Sequence, residues 1–307
     1  MAGNHVLVIG SRGQIGTELV EALRKDRGED KVFAADIHDG TEDGYIKLDA
    51  LDAKAVYETC SKHNIGEVYL LAAMLSATAE QQPGFAWKLN MESLFHVLEL
   101  AREKHIQKLY WPSSIAVFGL TTPKFNSPQH VVTEPVSVYG ISKLAGEGWC
   151  NWYNKKHGVD VRSLRYPGLI GWKSLPGGGT TDYAVDIFHQ ARKTGKYSCF
   201  LSENTMLPMM YMEDAIRATL EIMAAPVEKV KERTSYNLAG MSFTPGQLAK
   251  EIKKVLPAFT IEYKPDFRQA IAESWPGSID DTEAREDWGW KPAFNVNKLV
   301  EIMLAHI

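Results

Sequence analysis

Short apolar runs alternate with longer amphipathic stretches through the first half of the chain. The apolar runs predict strands, which cover His5–Ile9, Val32–Ala35, Tyr45–Leu48, Val68–Ala73, Lys108–Pro112 and Asp160–Tyr166. Between them, apolar residues at helical spacing predict helices over Thr17–Lys25, Ala53–His63, Trp87–Lys104 and Val138–Lys156. Because strand and helix keep alternating, the sequence predicts an α/β fold, a doubly wound parallel sheet with helices on both faces.

The pattern changes after Gly168. Residues 172–183 are rich in Gly, Pro and Thr, which is typical of a loop. The pattern beyond them predicts a strand and three helices, at Ser235–Leu238, Tyr183–Lys193, Glu213–Ala224 and Pro245–Leu256. This part lacks a regular βαβ order, so we expect one domain over residues 1–171 and a smaller α/β lobe over residues 172–307. Within that lobe, residues at about 213–240 are expected to pack back on the first sheet.

The composition narrows the range of partners. Among 307 residues, 34 are Lys or Arg and 38 are Asp or Glu, which gives a formal net charge of −4. Nucleic acid and anionic membranes require a concentrated basic surface, so neither is expected as a partner. The sequence shows no bilayer-spanning apolar run and no signal peptide. Cys60, Cys150 and Cys199 lack the spacing of a zinc site or a disulfide framework, so we expect a cytoplasmic protein without a metal.

A glycine-rich segment follows the first strand. Gly10, Gly13 and Gly16 form a G-x-x-G-x-x-G pattern between that strand and the first helix, and Asp36 ends the second strand. Glycines at this point let the backbone approach a pyrophosphate, whose charge the helix N-terminus then meets. An ordinary tight turn would show the same glycines. The order of strand, loop, helix, strand and acid favours dinucleotide binding.

Two charged residues bear on the choice of dinucleotide. Asp36 would accept hydrogen bonds from the adenosine ribose and repel a 2′-phosphate, which selects NAD over NADP. Arg12 argues the other way, because a basic residue just before the second glycine attracts a 2′-phosphate. We predict NAD, since a carboxylate facing a phosphate is the costlier clash. Asp49 ends the third strand, where it would either reach the adenine amino group or be a solvated acid.

A tyrosine, a lysine and a serine suggest the chemistry. Tyr139 and Lys143 are four residues apart at the start of a predicted helix, so their side chains share one face. A nearby cation would lower the pKa of the tyrosine and make it a general base. Ser114 follows the fifth predicted strand, at the edge where a substrate would lie. A surface Tyr–Lys pair is the alternative for the first two residues.

These residues together resemble the extended short-chain dehydrogenase/reductases. The resemblance also includes the segments Leu71–Ala73 and Arg165–Gly168 and covers nearly the whole chain. It implies a Rossmann-type domain, a catalytic triad of Ser114, Tyr139 and Lys143, and Lys143 also holding the nicotinamide ribose. The NAD contacts that it implies are Gly10, Arg12, Gly13, Gln14, Ile15, Gly16, Asp36, Asp49, Ala50, Leu71, Ala72, Ala73, Asn90, Tyr139, Lys143, Tyr166 and Leu169.

Within this family, the chain is similar to the NAD-dependent L-threonine 3-dehydrogenases. Three segments carry the similarity: Leu71–Ala77, Pro176–Ala184 and Ser274–Asp281. The resemblance implies oxidation of the β-hydroxyl of L-threonine to 2-amino-3-oxobutyrate. The substrate contacts that it suggests are Ser76, Ser114, Tyr139, Gly179, Thr180, Thr181 and Trp275.

Some of these assignments have plain structural alternatives. Gly177–Thr181 would offer backbone N–H groups to a substrate carboxylate and close as a lid, but five small residues also suit a surface loop. Ser76 is either a substrate contact or a structural residue, and Trp275 either closes the pocket or simply packs. Met206–Met212 is expected to fill the core, without a chemical role.

Two other functions remain open. A nucleotide-sugar epimerase or dehydratase would share the cofactor site and the triad, although such enzymes usually place an Asn where this chain has Pro167 and Gly168. A non-enzymatic NAD sensor would usually have lost the tyrosine or the lysine. The family also implies a homodimer in which Trp87–Lys104 and Tyr139–Lys156 form a four-helix bundle, with Trp149, Trp152 and Tyr153 as aromatic anchors.

Overall fold

The structure is a computed structural model that describes residues 3–307. Its strands are β1 (His5–Ile9), β2 (Val32–Asp36), β3 (Tyr45–Lys47), β4 (Ile65–Leu70), β5 (Lys108–Tyr110), β6 (Ser113–Ser114), β7 (Asp160–Arg162), β8 (Leu164–Tyr166), β9 (Gly168–Ile170), β10 (Lys196–Cys199), β11 (Leu207–Tyr211), β12 (Tyr236–Asn237), β13 (Met241–Phe243) and β14 (Thr260–Tyr263). Its α-helices are α1 (Gln14–Arg27), α2 (Ala53–Lys62), α3 (Ser76–Gln81), α4 (Pro83–Arg102), α5 (Val138–His157), α6 (Tyr183–Thr194), α7 (Met212–Ala224), α8 (Pro245–Val255), α9 (Arg268–Glu273), α10 (Thr282–Trp288) and α11 (Val296–His306). Short 3-10 helices lie at Glu29–Lys31, Ile115–Val117 and Val227–Lys229.

The large sheet is parallel and has the strand order β3-β2-β1-β4-β5-β7. The order reverses beside β1, which pairs with β2 on one side and with β4 on the other. This is the Rossmann arrangement, in which a ligand binds at the carboxyl ends of the strands where the order reverses. The predicted fold class is therefore confirmed. The crevice opens where β1 ends at Ile9 and β4 ends at Leu70.

The strand predicted over Asp160–Tyr166 is wrong as a single element. Its first part is β7, which pairs with β5 at the edge of the large sheet. After Ser163 the chain continues as β8, which pairs instead with β6 and β12 in a separate three-stranded sheet. Both parts are buried, so the hydrophobic pattern continues across the break. The change of sheet places Ser114 on β6 opposite Tyr166.

The C-terminal part contains more regular structure than its pattern predicts. It adds the sheets β13-β11-β9 and β10-β14 and the helices α9, α10 and α11. Within the methionine-rich segment, Met209 and Met210 are fully buried on β11, in agreement with a core role. Because both faces of β11 are buried, its sequence lacks the alternation that reveals a half-exposed strand.

The helix α7 packs against the large sheet, although it follows the loop that ends the first predicted domain. Ile216 and Ile222 on α7 share a buried cluster with Val6 on β1 and Leu19 on α1. The fully buried Trp290 closes the same cluster from the C-terminal side. Within residues 3–307, no helix has both the length and the apolar character needed to cross a membrane.

Candidate active site

The glycine loop brings backbone atoms into close contact at the end of β1. Gly10 has a φ of +88°, and a Cβ there would lie 2.6 Å from the Ala72 backbone nitrogen. A Cβ on Gly16 would lie 2.2 Å from the Gly10 carbonyl oxygen. Gly13 stands at the N-terminus of α1, so the free N–H groups of this helix face the loop. The loop is therefore shaped for a pyrophosphate and fits a dinucleotide.

Asp36 is fixed at the rim of this crevice by two backbone groups. Its Oδ2 accepts a hydrogen bond of 3.0 Å from the Arg12 N–H, and its Oδ1 accepts one of 3.3 Å from the His38 N–H. These contacts hold the carboxylate at the wall of the cavity, where a ribose contact is predicted. The Arg12 side chain is paired with Glu42 instead, at 2.8 Å.

A cavity beside Asp36 gathers most of the residues predicted for the adenosine half. The predicted residues that line it are Gly10, Arg12, Gly13, Asp36, Asp49, Ala50, Leu71, Ala72 and Ala73. Sequence reasoning missed the apolar lining residues Ile37, Leu48, Phe85 and Leu89. Ile37 and Phe85 are about half exposed, which leaves an apolar wall for a base. The position of Ile37 directly after Asp36 is the signal that could have revealed it.

Close packing of α5 brings together the side chains that are predicted to be catalytic. Ser137 caps this helix by accepting a hydrogen bond from the Gly140 N–H at 3.0 Å. A Cβ on Gly140 would lie 2.1 Å from the Ala116 carbonyl oxygen, so the helix lies directly against the 3-10 turn that follows Ser114. As a result, the side chains of Tyr139 and Ser114 interact and line the same cavity.

Lys143 is buried beside these two residues. Its Nζ donates a hydrogen bond of 2.6 Å to the Pro112 carbonyl oxygen and lies 4.3 Å from the centroid of the Trp111 ring. Burial lowers its pKa to about 7, although Cys150 and Glu147 act in the opposite direction. Nζ lies 5.5 Å from the centroid of the Tyr139 ring, on the same side of the helix.

The expected lowering of the tyrosine pKa is wrong for this structure. Burial raises the pKa of Tyr139 to about 12, while the hydrogen bond with Ser114 acts in the opposite direction. Lys143 does not offset this rise, because its own burial disfavours the ammonium form. Desolvation of both groups outweighs their proximity.

All the predicted substrate contacts line one cavity above the triad. These residues are Ser76, Ser114, Tyr139, Gly179, Thr180, Thr181 and Trp275. Eight residues predicted for the cofactor line the same cavity, namely Gln14, Ile15, Leu71, Ala73, Tyr139, Lys143, Tyr166 and Leu169. Residues predicted for the substrate and residues predicted for the cofactor therefore share one cavity.

The substrate side of this cavity has a polar wall. The hydroxyls of Ser76 and Thr180 lie 3.1 Å apart, and both residues are buried. Trp275 is also buried, and its indole N–H has no hydrogen-bond partner in the described part of the chain. An unpartnered buried donor is costly, and this one belongs to a residue that lines the cavity.

Asp182 is a lining residue that sequence reasoning missed. Its Oδ2 accepts hydrogen bonds of 2.8 Å from the N–H groups of Gly178 and Gly179. Burial raises its pKa, while those hydrogen bonds act in the opposite direction. The expectation that Gly177–Thr181 offers its N–H groups to a substrate carboxylate is therefore wrong for these two groups. The signal that could have revealed it is that Asp182 is the one acid in Pro176–Ala184, a segment that carries the family resemblance.

Two predicted cofactor residues have mainly structural contacts. Asn90 lines neither cavity, and its side chain bonds the Met74 backbone at 2.8 Å and the Ser142 hydroxyl at 3.0 Å. The Tyr166 hydroxyl bonds the Tyr110 hydroxyl at 2.7 Å, away from the cavity that the rest of the residue lines. Asn90 thus ties the loop after β4 to α5.

A buried ion pair lies behind the triad. Glu147 accepts hydrogen bonds from Arg165 at 2.8 and 2.7 Å, and from the Ser113 hydroxyl at 2.6 Å. Glu147 stands one turn after Lys143 on α5, and Arg165 belongs to β8. Sequence reasoning noted Arg165 only as part of a motif. The pair connects the helix that carries Tyr139 to the sheet that carries Ser114.

Comparison with known proteins shows the family to which the chain belongs. The model of the NAD dependent epimerase/dehydratase family matches residues 6–239. An uncharacterized epimerase/dehydratase of Staphylococcus saprophyticus is 44% identical, with 98% of this chain and 96% of the relative covered. The chain therefore belongs to this family of extended short-chain dehydrogenase/reductases. It is an NAD-dependent oxidoreductase by class, and its cofactor is NAD.

Solved structures extend the comparison. The holo form of a GalE-like L-threonine dehydrogenase from Cupriavidus necator is 55% identical, with a TM-score of 0.96 and coverage of 98% of this chain and 99% of that one. A monomeric L-threonine 3-dehydrogenase from a metagenome, in apo form, is 48% identical, with a TM-score of 0.95 and coverage of 98% and 97%. The resemblance to threonine dehydrogenases is therefore confirmed.

Proposed function

We propose that this chain oxidises L-threonine at the β-hydroxyl with NAD+ as the hydride acceptor. The products are 2-amino-3-oxobutyrate, NADH and a proton. One observation carries the proposal: Ser76, Thr180 and Trp275 line a single cavity together with Ser114 and Tyr139. Similarity to solved threonine dehydrogenases at 48% and 55% identity supports this substrate.

The triad residues would divide the proton chemistry between them. Ser114 holds the β-hydroxyl oxygen in a hydrogen bond, and Tyr139 Oη removes the hydroxyl proton as general base. Lys143 Nζ, with a pKa of about 7, is poised to exchange a proton at neutral pH. Bound NAD+ supplies a nicotinamide ring that accepts the hydride. The packing of α5 on the 3-10 turn keeps these side chains in position.

The amino-acid head of threonine requires a donor for its carboxylate and an acceptor for its ammonium group. The free Trp275 N–H supplies a donor, and the Thr180 and Thr181 hydroxyls stand on the same side of the cavity. Asp182 supplies an acidic acceptor at the cavity wall. We assign these residues to substrate binding.

The alternative is a nucleotide-sugar epimerase or dehydratase. The name of the Staphylococcus relative favours it, and the cofactor site and the triad serve both reactions equally well. Pro167 and Gly168 stand where sugar-nucleotide enzymes usually hold a diphosphate with an Asn. This difference, together with the small polar wall around Thr180, favours threonine.

We further propose a homodimer through α4 and α5. Trp87 on α4 and Trp149 and Trp152 on α5 remain 46%, 40% and 43% exposed. Large aromatic side chains that stay exposed on neighbouring helices are typical of an interface.

Location in the cytoplasm and separate domains over residues 1–171 and 172–307 also stay predictions.

The test of the function is NADH formation, followed at 340 nm. Purified protein is mixed with NAD+ and L-threonine, beside matched reactions with NADP+ and with L-serine. We expect rapid NADH formation with threonine and NAD+, and much slower reactions in the other mixtures. A protein that binds NAD+ but leaves threonine unchanged would contradict the proposal and direct the search to sugar nucleotides.

A further inference from the structure

The guanidinium of Arg12 is held by a set of contacts on the outer side of the adenosine cavity. Its Nη2 donates hydrogen bonds to both carboxylate oxygens of Glu42, at 2.8 and 2.9 Å. Its Cζ lies 4.8 Å from the centroid of the Tyr45 ring. We call Gly40, Glu42 and Tyr45 the Arg12 clamp. The three residues come from the loop after β2 and from β3.

Further hydrogen bonds hold the residues of the clamp in place. Glu42 also accepts a hydrogen bond of 2.9 Å from the Thr41 N–H, and the Tyr45 hydroxyl donates one of 2.5 Å to the His38 carbonyl oxygen. A Cβ on Gly40 would lie 2.6 Å from Arg12 Nη2 and from the Tyr45 ring. A residue with a side chain at position 40 would therefore displace the arginine. The absence of a side chain at Gly40 thus leaves the space that the guanidinium occupies.

Arg12 lies where its contacts with Glu42 would affect binding of the cofactor. Arg12 lines the adenosine cavity together with Asp36, and its own N–H bonds the Asp36 carboxylate. A free guanidinium at this point would be placed to pair with a 2′-phosphate on the adenosine ribose. In the clamp, this guanidinium is ion-paired and hydrogen-bonded to Glu42. A phosphorylated ribose would have to break those contacts.

We propose that Glu42 is a specificity-determining residue that selects NAD against NADP by withholding Arg12 from the 2′-phosphate. Asp36 and Glu42 then act together. Asp36 repels the phosphate directly, and Glu42 occupies the arginine that would compensate for it. The inference concerns the adenosine end of the site and does not depend on which substrate is oxidised.

A plain effect of charge is the competing explanation for any result at Glu42. Exposed ion pairs are individually weak, and a carboxylate near the cleft also repels a phosphate through its field. The chain offers a matched control in Asp39, which lies in the same loop and pairs with Lys47 at 2.9 Å. Asp39→Asn removes the same unit of charge and leaves the clamp intact.

The experiment measures dissociation constants of NADH and NADPH by fluorescence titration, without substrate. The variants are Glu42→Gln, Asp39→Asn, Arg12→Gln and the double variant Arg12→Gln/Glu42→Gln. We expect Glu42→Gln to shift the ratio of the two constants toward NADPH by about tenfold, because a freed guanidinium forms charge-assisted hydrogen bonds with phosphate. Asp39→Asn should shift the ratio by less than about twofold, since it changes only the screened field.

The double variant separates the two explanations. If the clamp acts through Arg12, the shift caused by Glu42→Gln disappears in the Arg12→Gln background. An equal shift in that background, an equal shift in Asp39→Asn, or no shift in Glu42→Gln would each overturn the proposal. Because binding is measured without substrate, a failure of threonine oxidation leaves this result unaffected.

Discussion

Tyr139 and Lys143 show how burial sets the chemistry of single residues. Burial raises the pKa of Tyr139 to about 12 and lowers that of Lys143 to about 7, so both favour their neutral forms near pH 8. The general base must lose a proton before it can act. The fraction of Tyr139 in the reactive phenolate form should therefore depend more strongly on pH than it would if a charged lysine lowered the pKa of the tyrosine.

The first prediction is a rate of threonine oxidation that rises with pH. Because the raised pKa leaves little phenolate at neutral pH, kcat/KM at saturating NAD+ should increase between pH 7 and pH 9, by up to about tenfold per pH unit. Initial rates in buffers of constant ionic strength measure this. Tyr139→Phe should lower kcat by about a thousandfold while NAD+ is still bound. A profile that falls across this range, or a Tyr139→Phe variant with the wild-type rate, would remove Tyr139 from the role of base.

The second prediction concerns the free indole N–H of Trp275. Trp275→Phe keeps an aromatic ring in the wall and removes the N–H donor together with one ring of the indole. We expect KM for threonine to rise about tenfold with a smaller change in kcat, because a hydrogen bond to a carboxylate is lost. Trp288→Phe is the matched control, since its indole N–H is also buried and without a partner in the described chain but lies outside the cavity lining. Equal changes in both variants would count against a substrate contact.

Among the larger elements, α5 and β8 are joined by the buried pair of Glu147 and Arg165. Its bidentate contacts connect α5, which carries Tyr139 and Lys143, to β8, which pairs with the Ser114 strand β6, and the hydrogen bond from Ser113 reaches β6 directly. A buried charge left without its partner is strongly destabilising. The pair therefore acts on the site through position, since neither residue is required to touch the substrate.

The third prediction follows from that pair. Glu147→Gln should lower the free energy of unfolding in urea by about 3–5 kcal/mol, because Arg165 keeps an uncompensated charge. Glu58→Gln, in the exposed pair with Lys54, should change it by less than about 1 kcal/mol. Replacing both partners, as in Glu147→Met/Arg165→Met, should restore part of the loss. Glu147→Gln with wild-type stability would show that the pair contributes little.

For the whole molecule, the exposed tryptophans of α4 and α5 give the fourth prediction. Size-exclusion chromatography with light scattering should report twice the mass of one chain. Trp152→Lys should shift the distribution toward the monomer, because a charged side chain would be buried at the interface. Val255→Lys, an exposed apolar position on α8, is the control and should leave the mass unchanged. A wild-type protein with the mass of a single chain would contradict the dimer, and a similar dehydrogenase is described as monomeric.

The amino-acid sequence determined the class of fold and indicated most of the residues that are proposed for the site. The order of apolar runs and helical spacings indicates the parallel sheet, because burial on both faces makes each strand a continuous apolar run. Gly10, Asp36 and the Tyr139–Lys143 spacing belong to local patterns, and a local pattern can be read without knowing the rest of the chain. The substrate residues came from segments that resemble a known family.

The tertiary structure decided what depends on residues far apart in the chain. The break between β7 and β8, the direction of the pKa shift at Tyr139 and the capture of Arg12 by Glu42 all arise from neighbours brought together by folding. The place of Asp182 in the cavity lining likewise depends on the folded loop, in which Thr180 contacts Ser76. Burial and the contacts between distant segments have no counterpart in a local pattern. Desolvation and hydrogen-bond competition, which depend on both, therefore became visible only in the folded chain.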